Sequence, residues 1–116
     1  MTTLRAGQLN RRITLQAPVA ALDAYGVPTP GWTNVMTVWA AIEPLSSRER
    51  VNAQSIASEI SHQLTVRYSS QLTDTRVVAG YRALYKGRIF NIHAAMNEDE
   101  SNVLITLLAS EGLNDG

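Results

Sequence analysis

From Val38 to Tyr68 the hydrophobic period changes twice, and that change limits what the chain can fold into. Val38-Trp-Ala-Ala-Ile-Glu43 suits a pleated, half-buried strand, with Val38, Ala40 and Ile42 on one face. Pro44 stops that pattern. Ser46-Ser-Arg-Glu49 then has the spacing of a capping box, and Ala53, Ile56, Ala57 and Ile60 follow at helical intervals. His62-Gln-Leu-Thr-Val-Arg-Tyr68 resumes the alternation. One short helix spliced into a strand-rich chain points to a small barrel or sandwich with an attachment. Such a chain is better suited to presenting surfaces than to enclosing a substrate.

The rest of the sequence reads the same way. Arg12 to Ala17 alternates as a first strand, with Ile13, Leu15 and Ala17 on one face. Residues 18–31 scatter Pro18, Asp23, Gly26, Pro28, Pro30 and Gly31 without a period, which predicts a long flexible loop. In it, Tyr25 beside Gly26 is an aromatic that a partner can capture, the plainer alternative being a floppy hairpin tip. Thr33 to Glu43 is a second strand, and Trp39 and Ala41 face away from its apolar side. Arg76-Val-Val-Ala79 reads as a short strand. Tyr81–Tyr85 and Arg88–Ile92 pair across Lys86-Gly87 as a tight hairpin. Val103 to Ala109 is apolar on both faces, the pattern of a well-covered strand. Residues 112–116 read as a frayed tail.

The expected fold is therefore mainly β: a small antiparallel β-barrel of six or seven strands, with one short α-helix at about 47–58 and the long loop. Its 116 residues suffice for a single domain with its own core. There are no cysteines, so neither a disulfide framework nor a thiolate metal site is available. The first residues lack the apolar core of a signal peptide, and no run approaches the roughly 20 apolar residues that span a bilayer. The expectation is a protein made and kept in the cytoplasm unless it leaves within an assembly.

Formal net charge is zero, so no overall field draws the chain to nucleic acid or membrane. The charges are nonetheless segregated. Arg76, Arg82, Lys86 and Arg88 succeed one another with no acid among them, and Glu98, Asp99 and Glu100 then come together. A solvated hairpin and a polar loop are the plain reading. Complementary patches through which identical copies meet head to tail are the sharper one.

Catalytic apparatus is sparse. His62 and His93 are the only histidines, and neither stands at a spacing that would pair metal ligands on one face. The acids at 98–100 are consecutive rather than set across a cleft, and they lack the order of a calcium loop. No nucleophile elbow or phosphate-binding glycine loop occurs. No enzyme activity and no cofactor or metal is expected. Tyr81, Tyr85 and Phe90 interleave with Arg82, Lys86 and Arg88, as in barrels that stack single-stranded nucleic acid. Aromatics sharing a strand face more often fill a core, so a small nucleic-acid-binding barrel stands as the alternative from a different class.

In order and spacing, several segments resemble the head–tail adaptor family of tailed bacteriophages, also called head-closure, stopper or head–tail joining proteins. Leu9-Asn-Arg-Arg-Ile-Thr-Leu15 is similar to its opening strand, and Asp23-Ala-Tyr-Gly26 followed by Trp32 to its loop. Val38 to Pro44 with Ser47-Arg-Glu49 resembles its strand-into-helix junction. His62–Tyr68 resembles a further strand, and Tyr81–Ile92 with Asn97-Glu-Asp99 its closing hairpin. Tyr81-Arg-Ala-Leu84 departs from the pattern in being more apolar.

The resemblance implies a virion protein at the head–tail interface. Copies would form a homo-oligomeric ring below the portal, close the DNA-filled head and dock the tail. Its partners would be identical subunits, a portal or connector adaptor protein and a tail-terminator or tail protein, with DNA passing through unread. A tail-terminator or minor tail protein is the near alternative. On this reading Asp23, Tyr25, Gly26 and Trp32 are candidates for a docking or gating loop. Arg76, Arg82, Lys86, Arg88, Glu98, Asp99 and Glu100 are candidates for contacts between subunits.

Overall fold

A computed structural model describes residues 9–55, 59–97, 100 and 102–112, with the side chains of 20, 21 and 30 excepted. Six strands close into an antiparallel barrel in the order β1-β2-β3-β6-β5-β4. They are β1 (Arg11–Leu22), β2 (Pro28–Pro44), β3 (His62–Arg67), β4 (Arg82–Tyr85), β5 (Arg88–Asn97) and β6 (Leu104–Gly112). Helix α1 (Ser47–Ala53) joins β2 to β3. A 3-10 turn at Ser70–Leu72 and helix α2 (Thr75–Val78) join β3 to β4.

Alternation builds the interior. Ile13 and Leu15 of β1, Ala40 of β2, Leu64 and Val66 of β3, Phe90 of β5, and Ile105 and Leu107 of β6 are all fully buried in one cluster. Closure leaves none of the barrel's strands an open edge where all six run together. Leu72 and Val78 belong to the same cluster, so the 3-10 turn and α2 each insert a side chain into the barrel interior. Outside the wall, Ala53 and Ile60 pack on Leu108 with Leu45 and Ala94 as a second small cluster. This is why Val103 to Ala109 is apolar on both faces: Leu107 points inward while Leu108 lies under the helical segment.

A bulge in β5 keeps both clusters filled. The register steps between Ile92 and Ala94, leaving His93 as the extra residue. Ala95 then packs toward the main core and Ala94 toward the outer cluster. Without that step the two alanines would exchange faces.

Three sequence expectations need correction. The segment 18–31 is not a flexible loop: β1 and β2 continue through it, paired from Ala17–Thr33 out to Leu22–Pro28. Arg76-Val-Val-Ala79 is helical rather than extended, because Asp74 caps it and Val78 is drawn inward. The Asp74 side chain accepts from the Arg76 amide at 3.1 Å, and this local cap outweighs the β preference of two valines. Gly112 belongs to β6 opposite Ile89, so the strand extends into what reads as a frayed tail. Residues 113–116 lie outside the described residues, as do Ile56 and Ala57 of the expected helical stripe.

Other local expectations hold. Both capping-box bonds of α1 are present: the Glu49 amide donates to Ser46 Oγ at 3.3 Å, and the Ser46 amide donates to Glu49 Oε1 at 3.1 Å. Those bonds hold the Glu49 carboxyl below its usual pKa. Lys86 and Gly87 have φ of 46° and 81°, the left-handed pair that a two-residue hairpin turn requires.

Candidate assembly interface

Beyond the barrel, the first hairpin runs on as a two-stranded arm. Pairing of β1 with β4 ends at Gln16, and pairing of β2 with β3 begins only at Ala40. Between those limits no third strand flanks the arm among the described residues, and the molecule measures 50 × 30 × 25 Å. Six residue pairs, from Ala17–Thr33 to Leu22–Pro28, reach about 17 Å at some 3.3 Å per residue.

The tip is built around Asp23. Its carboxylate Oδ1 accepts from the Tyr25 and Val27 amides at 2.8 and 2.9 Å. The Gly26 amide donates to the Asp23 carbonyl at 3.0 Å. Gly26 has φ of 76°, closing a type I turn with a left-handed residue, a favoured end for such hairpins. Tyr25 is thereby held out into solvent, 90% exposed, with Leu22 at 70% and Val27 at 53%.

Trp32 sits at the root of the arm. The Arg82 guanidinium lies over its ring at 4.3 Å, and Arg82 Nε donates to Gln16 Oε1 at 2.7 Å. Gln16 Nε2 in turn donates to Asn34 Oδ1 at 2.8 Å. Two candidates assigned to different roles in the sequence, Trp32 and Arg82, thus form one brace between arm and barrel. A second stack lies farther along the same strands, with Arg12 over Trp39 at 5.1 Å and Trp39 half exposed.

The four cations of the basic run do not form one patch. Lys86 and Arg88 gather at one end of the barrel around Tyr85. There Lys86 lies 5.5 Å from the Tyr85 ring, and Arg11 Nη1 donates to the Tyr85 hydroxyl at 3.5 Å. Partial desolvation pushes the Tyr85 phenol up, but Arg11 and Lys86 outweigh it and leave it below its ordinary range. Arg88 donates twice to Glu111, each at 3.0 Å, and lies over the Phe90 ring at 4.8 Å. Arg76 stands apart on α2, almost fully exposed, 3.9 Å from Asp74.

The ten-residue β5 carries Arg88 at one end and Asn97 at the other. Around Asn97 lies a shallow groove of about 550 Å³ lined by Thr73, Thr75, Met96, Glu100 and Asn102. Glu100 is exposed, with φ of 50°. Glu98 and Asp99 lie outside the described residues. A cationic end and an end bearing Asp74 and Glu100 therefore occupy opposite ends of the barrel, and the arm leaves from the latter.

His93 is not arranged as a hydrolytic relay. His93 Nε2 faces both Ser110 Oγ at 2.8 Å and Glu59 Oε1 at 3.7 Å; a hydrolytic relay needs the two partners on opposite ring nitrogens. His62 has Ser61 Oγ at 2.8 Å on Nδ1, packs edge-on against Phe90 and sits 4.0 Å from Glu111. Burial lowers its pKa, the first of several influences. Among the described residues no cluster of histidine and carboxylate is arranged to hold a metal. The aromatics of the hairpin do not offer a stacking platform either. Phe90 is fully buried, and Tyr81 and Tyr85 pack against the core.

The profile of the phage head completion protein family matches residues 4–112. The chain belongs to that family. It is thus a structural component of phage head completion, in a family that is not one of enzymes. This head completion protein is 20% identical over 109 residues to head completion protein gp7 of Enterobacteria phage HK97, covering 94% of the present chain and 97% of the relative. A solution structure of a Shigella flexneri 2a protein shares the fold with a TM-score of 0.68 at 24% identity, covering 94% and 97% of the two chains. A chain in the virion of a native gene transfer agent particle superposes with a TM-score of 0.58 at 19% identity, covering 90% and 96%. These two likenesses concern the fold.

Sequence reasoning singled out the arm tip and its tryptophan but missed Glu111, Gln16, Arg11 and Arg12. Arg12 and Trp39 were findable in principle, since they stand directly opposite across the β1–β2 register. Glu111 was not, because its partner Arg88 lies on another strand of a barrel whose closure the sequence does not spell out.

Proposed function

We propose that this head completion protein is a subunit of the connector between head and tail. Identical copies form a ring below the portal, close the DNA-filled head and offer the tail its docking surface. The observation that carries this reading is the arm: an ordered stalk with Tyr25, Leu22 and Val27 exposed at its end. An ordered stalk has already lost most of the entropy that docking would otherwise cost, so its tip can engage a neighbour or the portal side cheaply.

The two charged ends supply the complementary contact between copies. Lys86 with Arg11 marks one end, and Asp74 with Glu100 the other. Each contact is weak alone, and a ring multiplies it. Packaged DNA passes through such a ring unread, consistent with Arg82, Lys86 and Arg88 being engaged by neighbouring side chains. The subunit waits in the host cytoplasm until the head is full.

Capture on purified components tests the reading. The tagged protein is expected to bind DNA-filled heads bearing a portal and, once bound, to recruit tails. Binding to tails but not to filled heads would instead assign it to the tail side.

A further inference from the structure

The hydrogen-bond phase of the arm determines where its prolines sit. The Asp23 amide donates to the Val27 carbonyl at 3.0 Å, so Asp23 and Val27 are a bonded pair. Bonded and non-bonded pairs alternate along an antiparallel ladder. In the observed register, Leu22–Pro28, Ala20–Pro30 and Pro18–Trp32 are therefore non-bonded pairs, while Ala21–Thr29 and Val19–Gly31 are bonded. Backbone nitrogens of the non-bonded pairs face outward, toward the two edges of the arm. Pro18, Pro28 and Pro30 all occupy such positions.

The arm can form only if proline avoids its bonded pairs, but nothing in its own ladder calls for proline at the others. Yet three of the chain's four prolines are here. On the β2 edge Pro28 and Pro30 remove two successive outward donors, and on the β1 edge Pro18 removes one. Among the described residues no strand covers either edge, since the pairing of β1 with β4 stops at Gln16 and that of β2 with β3 begins at Ala40. An uncovered ribbon bearing exposed Val19, Leu22 and Val27 is a template on which the same ribbon of another copy can pair.

We propose that these prolines are an edge guard that keeps the arm of one copy from adding as a strand to the arm of a second copy. A strand approaching the β2 edge meets no donor at Pro28 or at Pro30, leaving two of its carbonyls unpaired. Contacts of the arm are thereby confined to side chains, chiefly at the tip. The inference does not depend on the arm being the docking element, because it concerns free copies of this chain.

The test restores the donors. Pro28→Thr with Pro30→Thr keeps strand-compatible side chains and returns two outward amides. Light scattering coupled to size exclusion, over a concentration series, compares this variant with the parent. The variant is expected to associate at a concentration about tenfold or more lower, the effect of two added bonds per contact. A variant with the parent's circular dichroism that associates no more readily than the parent would overturn the proposal. If the double variant fails to fold, Pro30→Thr alone is read by the same comparison, with a smaller shift expected and an unchanged profile counting against the guard.

Discussion

Arg82 stacks over Trp32 with its guanidinium carbon 4.3 Å from the ring centroid, joining β4 to the root of the arm across 50 residues of sequence. Arg82 also reaches Gln16, so one side chain ties together β4 and both strands of the arm. The brace is half-buried and stands at the point where the stalk leaves the barrel.

Breaking the brace is expected to loosen the arm without unfolding the barrel. Arg82→Ala and Trp32→Ala should show a coupling of about 0.5–1 kcal/mol in a double-mutant cycle of chemical denaturation. Arg82→Lys should recover only part of it, because an ammonium lacks the flat guanidinium face. Coupling indistinguishable from zero would mean that the stack contributes nothing.

Arg88 and Glu111 form the best-made ion pair of the described residues, though both are about 40% exposed. Its contribution is therefore that of a screened surface pair, about 1 kcal/mol at most. Hydrogen bonding to Arg88 first, and its charge, lower the Glu111 pKa. The folded carboxylate holds its proton less tightly than the unfolded one. That contribution is thus complete above the ordinary glutamate range and is lost as pH falls through the lowered folded value. Glu111→Gln should flatten this acid limb in a plot of melting temperature against pH.

His62 adds a second pH dependence of the same sign. Its folded pKa is lowered by burial, so protonation favours the unfolded chain. Stability should decline as pH falls below the usual histidine value near 6.5 and level off once the folded value is passed. His62→Gln should remove that step, and a parent whose melting temperature is constant between neutral pH and about 5 would contradict the assignment.

Phe90 is the largest of the fully buried side chains and lies beneath both His62 and Arg88. Phe90→Ala should cost about 3–5 kcal/mol by denaturant titration, enough to consume much of the stability of a domain this size. Phe90→Leu should cost far less.

The fold was legible wherever a period of two or 3.6 ran uninterrupted. Ile13, Leu15, Leu64 and Val66 announce their face, and Ser46 with Glu49 announces the start of α1. The arm was not legible because Pro18, Pro28 and Pro30 are ordinarily read as breakers. They interrupt nothing here, since each occupies a position whose amide the ladder does not use. α2 was misread because two valines look like strand while the deciding groups are Asp74 and the cavity that takes Val78. The candidate residues at the tip were visible as Asp23-Ala-Tyr-Gly26. The partnership of Trp32 with Arg82 depends on barrel closure, which no local pattern encodes.

The arm as docking element is the central claim, and a shortened arm tests it most directly. Val19 and Gly31 are a bonded pair, so replacing residues 20–30 with Asn-Gly closes a two-residue turn there and leaves Trp32 under Arg82. The account predicts a folded protein with a melting temperature within a few degrees of the parent that fails to restore infectious particles to phage lacking it. Parental particle yield from that folded, shortened protein would contradict the account.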